Sequence, residues 1–404
     1  MILQGKNVVL GVTGGIAIYK AVDLCSKLVQ AGANVDVIMT EAATHFVTPL
    51  PFQTLTKRPV SVDMFQLLRD TEMAHISLSK KADVLVIAPA TANTIAKLAL
   101  GLADNLLTST ALASRAPLVI APAMDADMWA HPATQQNVQL LRSRGAVFVG
   151  PARGRLASGR MGQGRLAPIE DILGAIRQTL GSKGPLAGVR VLVTAGGTQE
   201  PLDPVRHIGN RSSGKMGYAL AEAARDMGAQ VILVSAPTCL APVFGVEMLH
   251  VRTAAEMHRA VMERLSQVDV LIMAAAVADY RPKHAAVQKI KKGAKGLVLE
   301  LERTEDILGA VAKARPSLGK PRVVVGFAAE TEDLLKNARE KMHRKKVDLL
   351  VANDVSAPDS GFGVETNRVV LLAPGKKEEA LPLLPKFEVA ERVLSKVAAL
   401  LEAE

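Results

Sequence analysis

Two segments of this chain share one design, a short run of branched apolar residues that ends on a glycine turn. Val8–Val12 runs into Thr13-Gly14-Gly15, and Val189–Val193 runs into Thr194-Ala195-Gly196-Gly197. A strand that feeds a glycine turn and then a helix leaves few folds open. Glycine lets the backbone approach a ligand closely, and the helix start offers free N–H groups and a positive dipole end. One such opening in each half of the chain predicts two nucleotide-type α/β domains in tandem.

The pattern around each opening agrees. In the first half, Lys6–Val12, Val35–Met39, Asp83–Ala88 and Pro117–Ala121 read as strands, and Ile16–Ala31, Asn93–Leu100 and Asp104–Ser114 as helices. Short continuous apolar runs suit parallel strands covered on both faces. In the second half Val189–Val193, Val231–Val234, Val270–Met273, Arg322–Gly326 and Asp348–Val351 read as strands, and Phe387–Leu401 as a terminal helix. The expected fold class is α/β with two doubly wound, Rossmann-like domains. Gly150–Leu166 (GPARGRLASGRMGQGRL) has no apolar period, yet a helix resumes over Ile169–Leu180. It therefore reads as a mobile flap, 150–166, inside a first domain of 1–182 rather than as a flexible linker. Gly181–Gly188 is the expected boundary, with the second domain over 188–404.

Charge narrows the partners. The chain of 404 residues carries a net +10, but aromatics are only 3% and the basic residues are spread, apart from Lys289–Lys292 and Lys341–Lys346. Base-stacking platforms are scarce, so anionic small molecules are expected in place of nucleic acid. Cys25 and Cys239, one per half, offer neither a disulfide framework nor a zinc site and fit a reducing, cytoplasmic compartment. No signal peptide and no membrane span are expected.

The glycine turns differ in kind. Gly11-Val-Thr-Gly14-Gly15 is spaced G-x-x-G-G, not the dinucleotide G-x-G-x-x-G, which favours a mononucleotide over NAD. A purely structural turn is the alternative. Gly209-Asn-Arg-Ser-Ser-Gly214-Lys215 superficially fits a P-loop, but Met216 stands where Ser or Thr would hold magnesium, and a long loop, Gly196–Ile208, separates it from its strand. What remains is a helix start rich in Ser, Gly and Lys, with Arg206 and Arg211 adding charge. It suits a phosphate, or is a plain helix cap.

Longer blocks carry a family resemblance. His75, Pro89-Ala-Thr-Ala-Asn93-Thr94 and PAMDADMW at Pro122–Trp129 resemble the flavin-containing cysteine decarboxylases. GGTQEPLDPVRHIGNRSSGKMG at Gly196–Gly217, AAAVADY at Ala274–Tyr280, KIKK at Lys289–Lys292, read as a strand, and ANDVS at Ala352–Ser356 resemble phosphopantothenoylcysteine synthetase. Together they resemble the bacterial bifunctional phosphopantothenate–cysteine ligase/phosphopantothenoylcysteine decarboxylase family. The resemblance implies a flavodoxin-like first domain that binds FMN through Gly14, Gly15, Thr40, Ala90, Thr91 and Asn93. His75 would act as base or orient the substrate thiol, whose oxidation by FMN gives a thioaldehyde that loses carbon dioxide easily. The second domain would activate phosphopantothenate as an acyl-cytidylate from CTP for attack by cysteine. Asn210 would stabilise conversion of that intermediate, and Lys289 would serve both catalysis and nucleotide binding. Asp279, Asp306, Ile307, Phe327, Lys341 and Lys345 would contact the nucleotide, with Mg2+ bridging its phosphates. Arg206, Ser212, Ser213 and Gly214 would hold the substrate phosphate. Lys341 and Lys345 are i, i+4 and share a helix face, whose alternative reading is a solvated face. A homo-oligomer is implied as well.

Three positions depart from the family pattern. Asp125 stands where the family has Asn, Ser158 where its flap has Cys, and Glu305 where Pro usually precedes the cytosine-reading loop. An ionised Asp125 cannot donate to a substrate carboxylate and would repel it. A hydroxyl at Ser158 is a far weaker acid than a thiol, whose pKa is about 8.5. Decarboxylation with another acid, a ligase with an impaired flavin half, and a flavoprotein regulatory subunit all stay open at this point. The flap arginines Arg153, Arg155, Arg160 and Arg165 could hold the substrate's phosphate.

Overall fold

Side-chain alternation along the strands decides the architecture. In the second half Val191 and Val193 face one apolar cluster while Leu192 between them faces another. Val270 and Ile272 alternate in the same way with Leu271 and Met273, and Leu349 and Val351 with Leu350 and Ala352. A strand with both faces apolar needs helices on both sides, which is what a parallel doubly wound sheet supplies. The computed structural model describes residues 2–65, 73–292, 296–330, 334–354, 361 and 363–403. Two compact units make up the chain, Met1–Gly181 and Ser182–Glu404.

The first unit has five strands, in the spatial order Asn34–Met39, Asn7–Val12, Val84–Ala90, Leu118–Pro122, Val147–Phe148. All four pairings are parallel. This 2-1-3-4-5 order is flavodoxin-like, and its switch point lies between Asn7–Val12 and Val84–Ala90, where ligands of such sheets bind outside the carboxyl ends. The predicted helix Ile16–Ala31 begins as a 3-10 turn, Ile16–Ile18, and is α-helical over Tyr19–Gln30. The segment read as a flap is a β-hairpin, Ala152–Arg155 paired antiparallel with Met161–Arg165. Its alternation of Gly and Arg hid the period from an apolar count.

The second unit has an eight-stranded sheet. Its order is Glu247–His250, Gln230–Ser235, Arg190–Ala195, Val270–Met273, Val323–Glu330, Leu349–Asp354, Val369–Leu372, Glu379–Ala380. The first six are parallel in the 3-2-1-4-5-6 order, and the last two are added antiparallel. Helices Lys215–Asp226 and Lys386–Glu402 supply Leu220, Ala221, Val389, Val393 and Leu394 to one cluster. Fully burying a valine or leucine side chain contributes roughly 1.5–3 kcal/mol, so each of these helices is held to the sheet mainly by its apolar face.

Two expectations need correction. Gly196–Ile208 is not a long loop, because Gln199–Pro201 and His207–Gly209 pair antiparallel within it. The Lys289–Lys292 run is irregular backbone rather than a strand. Val355 and Ser356 of the ANDVS block lie outside the described residues.

Candidate functional sites

The first candidate site forms at the switch point of the five-stranded sheet. Thr13, 1% exposed, ties the two turns there together. Its Oγ1 donates to Pro89 O at 2.7 Å and accepts from Thr91 N at 3.1 Å. Gly14 and Gly15 follow one strand, and Thr91, the N-cap of helix Ala92–Leu100, follows the other. A cavity of about 610 Å³ opens on them, lined also by Tyr19, Lys20, Met124, Asp125, Arg155 and Ser158. The flap hairpin reaches this cavity because Gly164 lies against the backbone. Met124 N donates to Gly164 O at 3.0 Å, and a Cβ on Gly164 would stand 2.1 Å from Met124 O.

Two of the three departures from the family pattern meet here. Ser158 Oγ donates to Asp125 Oδ2 at 3.1 Å, and Asp125 Oδ1 accepts from Asp127 N at 3.1 Å as N-cap of the turn Ala126–Ala130. The Asp127 N–H first, then the Ser158 hydroxyl, hold the Asp125 carboxyl below the usual carboxylate range. Arg160 pairs with Asp127 at 2.9 Å, a second link between the hairpin and this turn. Asp125 is thus an ionised acceptor with its own donor, and the positive charge of the cavity comes from Lys20, Arg155 and Arg165.

Of the residues expected to bind cofactor, Gly14, Gly15 and Thr91 line the cavity, while Thr40, Ala90 and Asn93 do not. Ala90 is fully buried and Asn93 is exposed. His75, at the start of helix Ala74–Lys81, is also off the lining. His75 Nδ1 and Thr40 Oγ1 are buried polar atoms without a hydrogen-bond partner. Buried polar groups are nearly always satisfied, so both are suited to a group that is not polypeptide. Sequence reasoning missed Tyr19, Lys20 and Met124. Lys20 follows the glycine turn by one helical turn, a signal that was present but had no motif attached.

The second candidate site is a cavity of about 800 Å³ in the eight-stranded unit. Asp279, Asp306, Ile307, Phe327, Lys341 and Lys345, all expected to contact nucleotide, line it together. Lys341 and Lys345 lie on helix Leu334–Lys345 and turn one face to it. Lys341 Nζ donates to Phe327 O at 2.9 Å, and Lys345 pairs with Asp306. Asp306 caps helix Ile307–Leu318 by accepting from Gly309 N at 3.0 Å. Burial pushes its carboxyl up, but Lys345 and the Gly309 N–H outweigh that and hold it low. Glu305, the departure beside it, pairs with Arg281 at 3.4 Å. Arg303, Glu340 and Arg344 also line the cavity and were missed, since each is an ordinary charged residue on a strand or helix.

The remaining ligase residues are not on this lining. Asn210 Nδ2 donates to Val277 O at 2.9 Å, and Val277 lines the cavity. Ser212, Ser213 and Gly214 precede helix Lys215–Asp226, with Ser212 Oγ accepting from Gly214 N at 3.3 Å. Arg206 pairs with Asp203 at 3.5 Å. Lys289 is exposed and is not part of the lining.

Comparison with known proteins accounts for both units. Residues 2–181 match the Flavoprotein family, and residues 186–401 match the DNA/pantothenate metabolism flavoprotein C-terminal domain. Over 401 residues the chain is 46% identical to the coenzyme A biosynthesis bifunctional protein CoaBC of Bacillus subtilis, covering 98% of each chain. The chain belongs to this family of bifunctional coenzyme A biosynthesis enzymes, with one ligase and one decarboxylase activity. The corresponding protein of Mycolicibacterium smegmatis is 44% identical over 411 residues, covering 99% of each chain. Among solved structures, the C-terminal domain of a coenzyme A biosynthesis bifunctional protein CoaBC is 41% identical. That match spans 55% of this chain and 100% of the other, with a TM-score of 0.47.

Proposed function

We propose that the second unit joins phosphopantothenate to cysteine using CTP, and that the first unit decarboxylates the product with FMN. One observation carries the reading. In each unit a roomy cavity opens at the strand ends, lined in the second by Asp279, Asp306, Ile307, Phe327, Lys341 and Lys345 and in the first by Gly14, Gly15 and Thr91, residues singled out for one ligand from distant parts of the sequence.

In the second unit Lys341 and Lys345, backed by Arg344, would hold the triphosphate, with magnesium bridging its oxygens. The N–H groups at the start of helix Lys215–Asp226 and the Ser212 and Ser213 hydroxyls would hold the substrate phosphate, with Arg206 supplying charge. Asn210, anchored on Val277 O, would present its amide edge between the two. Lys289 would reach the nucleotide from its exposed segment.

In the first unit Gly14, Gly15 and Thr91 would cradle the FMN phosphate, and Thr40 Oγ1 and His75 Nδ1 would find their missing partners on the flavin or substrate. Bound FMN supplies the electron sink that decarboxylation needs. Lys20, Arg155 and Arg165 would attract the anionic substrate. Ser158, paired with Asp125, would close the flap side of the cavity against water and turn the carboxylate of Asp125 away from the substrate's own.

A cytoplasmic homo-oligomer acting on small molecules completes the reading. No described helix is long and apolar enough to cross a membrane. Three measurements test it on the full chain. Purified protein should be yellow and release FMN on denaturation. Pyrophosphate should appear only with CTP, cysteine and phosphopantothenate together. Carbon dioxide should be released from supplied phosphopantothenoylcysteine. Colourless protein that cannot be loaded with FMN refutes the first part, and CTP-independent ligation refutes the second.

A further inference from the structure

We infer that Asp203 is a positioning residue of the ligase, a buried latch that sets Lys289 and Arg206 relative to each other. The inference rests on the reading of Lys289 and Arg206 as ligase residues. Lys289 sits on irregular chain between strand Tyr280–Pro282 and the undescribed residues 293–295. No sheet ladder covers 283–292 among the described residues. Two hydrogen bonds join this arm to the loop that carries Arg206. Ala286 N donates to Leu202 O at 2.9 Å, and Ile290 N donates to Asp203 Oδ2 at 3.1 Å. The second bond is one residue from Lys289.

The carboxylate is built for the task. Its side chain has 0% exposure, and its other oxygen, Oδ1, accepts from both Val205 N and Arg206 N at 2.8 Å. The Arg206 guanidinium stands 3.5 Å from Oδ2. One carboxylate therefore fixes the backbone of Arg206, faces its charge, and holds the arm of Lys289. Burial pushes the carboxyl up, and the three N–H donors with Arg206 outweigh it, so the group stays ionised and a pure acceptor. Neither cavity is lined by Asp203, so it acts through the two residues that it places.

The chemistry of the carboxylate allows a clean test. Asp203→Asn keeps one oxygen for Val205 N and Arg206 N and sets an NH2 group against Ile290 N, donor facing donor. Ile290→Pro removes the same bond from the arm side and leaves the loop untouched. In the full chain, either variant should speed hydrogen exchange across the arm and lower ligase kcat about tenfold, as expected for loss of one charge-assisted bond. Amide exchange at Ile290 itself is read in the parent and Asp203→Asn. Decarboxylation of supplied phosphopantothenoylcysteine should stay at the parent rate in both. Because both remove one bond, the double variant should lose no more than the weaker single. The latch is refuted by parent-like exchange at Ile290 in Asp203→Asn, by a parent-like ligase rate, by losses that add in the double variant, or by faster exchange spread evenly over 186–401. Should Asp203→Asn fail to fold, Ile290→Pro alone decides by the arm's exchange and ligase rate. If Lys289→Gln leaves ligation intact, the functional reading of Lys289 fails instead, while exchange at Ile290 still reports the latch.

Discussion

Gly14 and Gly15 are neighbours whose replacement by alanine should fail in different ways. A Cβ on Gly14 would stand 2.7 Å from the Ala42 carbonyl carbon and 2.8 Å from its oxygen. Backbone cannot swing aside as a side chain does, so overpacking of about 1–3 kcal/mol is expected whether or not flavin is bound. For a unit of this size each kcal/mol shifts Tm by about 2–4 °C, which puts the loss at roughly 2–12 °C. A Cβ on Gly15 meets only Thr91 Cγ2, at 3.9 Å, and Gly15 has φ −173°, which any residue adopts. The polypeptide itself has no need of glycine there, and Gly15→Ala should change stability by less than about 0.5 kcal/mol. The space above Gly15 belongs to the 610 Å³ cavity, so the added methyl would meet the ligand. A loss of about 1.4 kcal/mol or more, tenfold in Kd for FMN, is expected. Thermal melts of flavin-stripped protein and quenching of flavin fluorescence on titration separate the two effects. Parent-like affinity in Gly15→Ala would show that this turn does not touch the cofactor.

Four further outcomes follow from the structure. Burial pushes the Cys25 thiol from 9.0 up to about 12, so the folded state keeps its proton where the unfolded chain has lost it. The resulting stability is complete below about pH 9 and is lost as pH rises toward 12, and Cys25→Ala should flatten the alkaline limb of the Tm profile. Native protein should take up one thiol label, at exposed Cys239, and denatured protein two, counted by mass. Lys341→Ala should raise KM for CTP about tenfold with little change in Tm, and an unchanged KM would remove Lys341 from the nucleotide site. Asp125→Asn with Ser158→Cys should raise the turnover of carbon dioxide release, because the pair then offers an amide donor and a more acidic proton. A slower double variant would show that the Ser158–Asp125 pair is itself adapted to the reaction.

Much of this molecule is legible along the chain. Continuous runs such as Asp83–Ala88 suit strands covered on both faces, and two glycine turns after such strands point to two doubly wound sheets. Legibility fails where the period is carried by other residue types. The hairpin Ala152–Arg155/Met161–Arg165 alternates glycine with arginine, and Gln199–Pro201/His207–Gly209 is three residues a strand. Backbone pairing across a tight turn holds both, and an apolar count cannot see it.

The sites divide in the same way. Local sequence determined which residues end the strands and open the helices, because turn geometry and helix N-termini are properties of a few neighbouring residues. It therefore marked Gly14, Gly15 and Gly214, whereas Thr91 and Asp306 were implied only by the family resemblance. Only the tertiary structure brought Ser158 to Asp125 across 33 positions and Ile290 to Asp203 across 87. Hydrogen bonds between such distant residues leave no spacing in the sequence. Their partners are chosen by sheet order and chain path, and these follow from the packing of the whole unit.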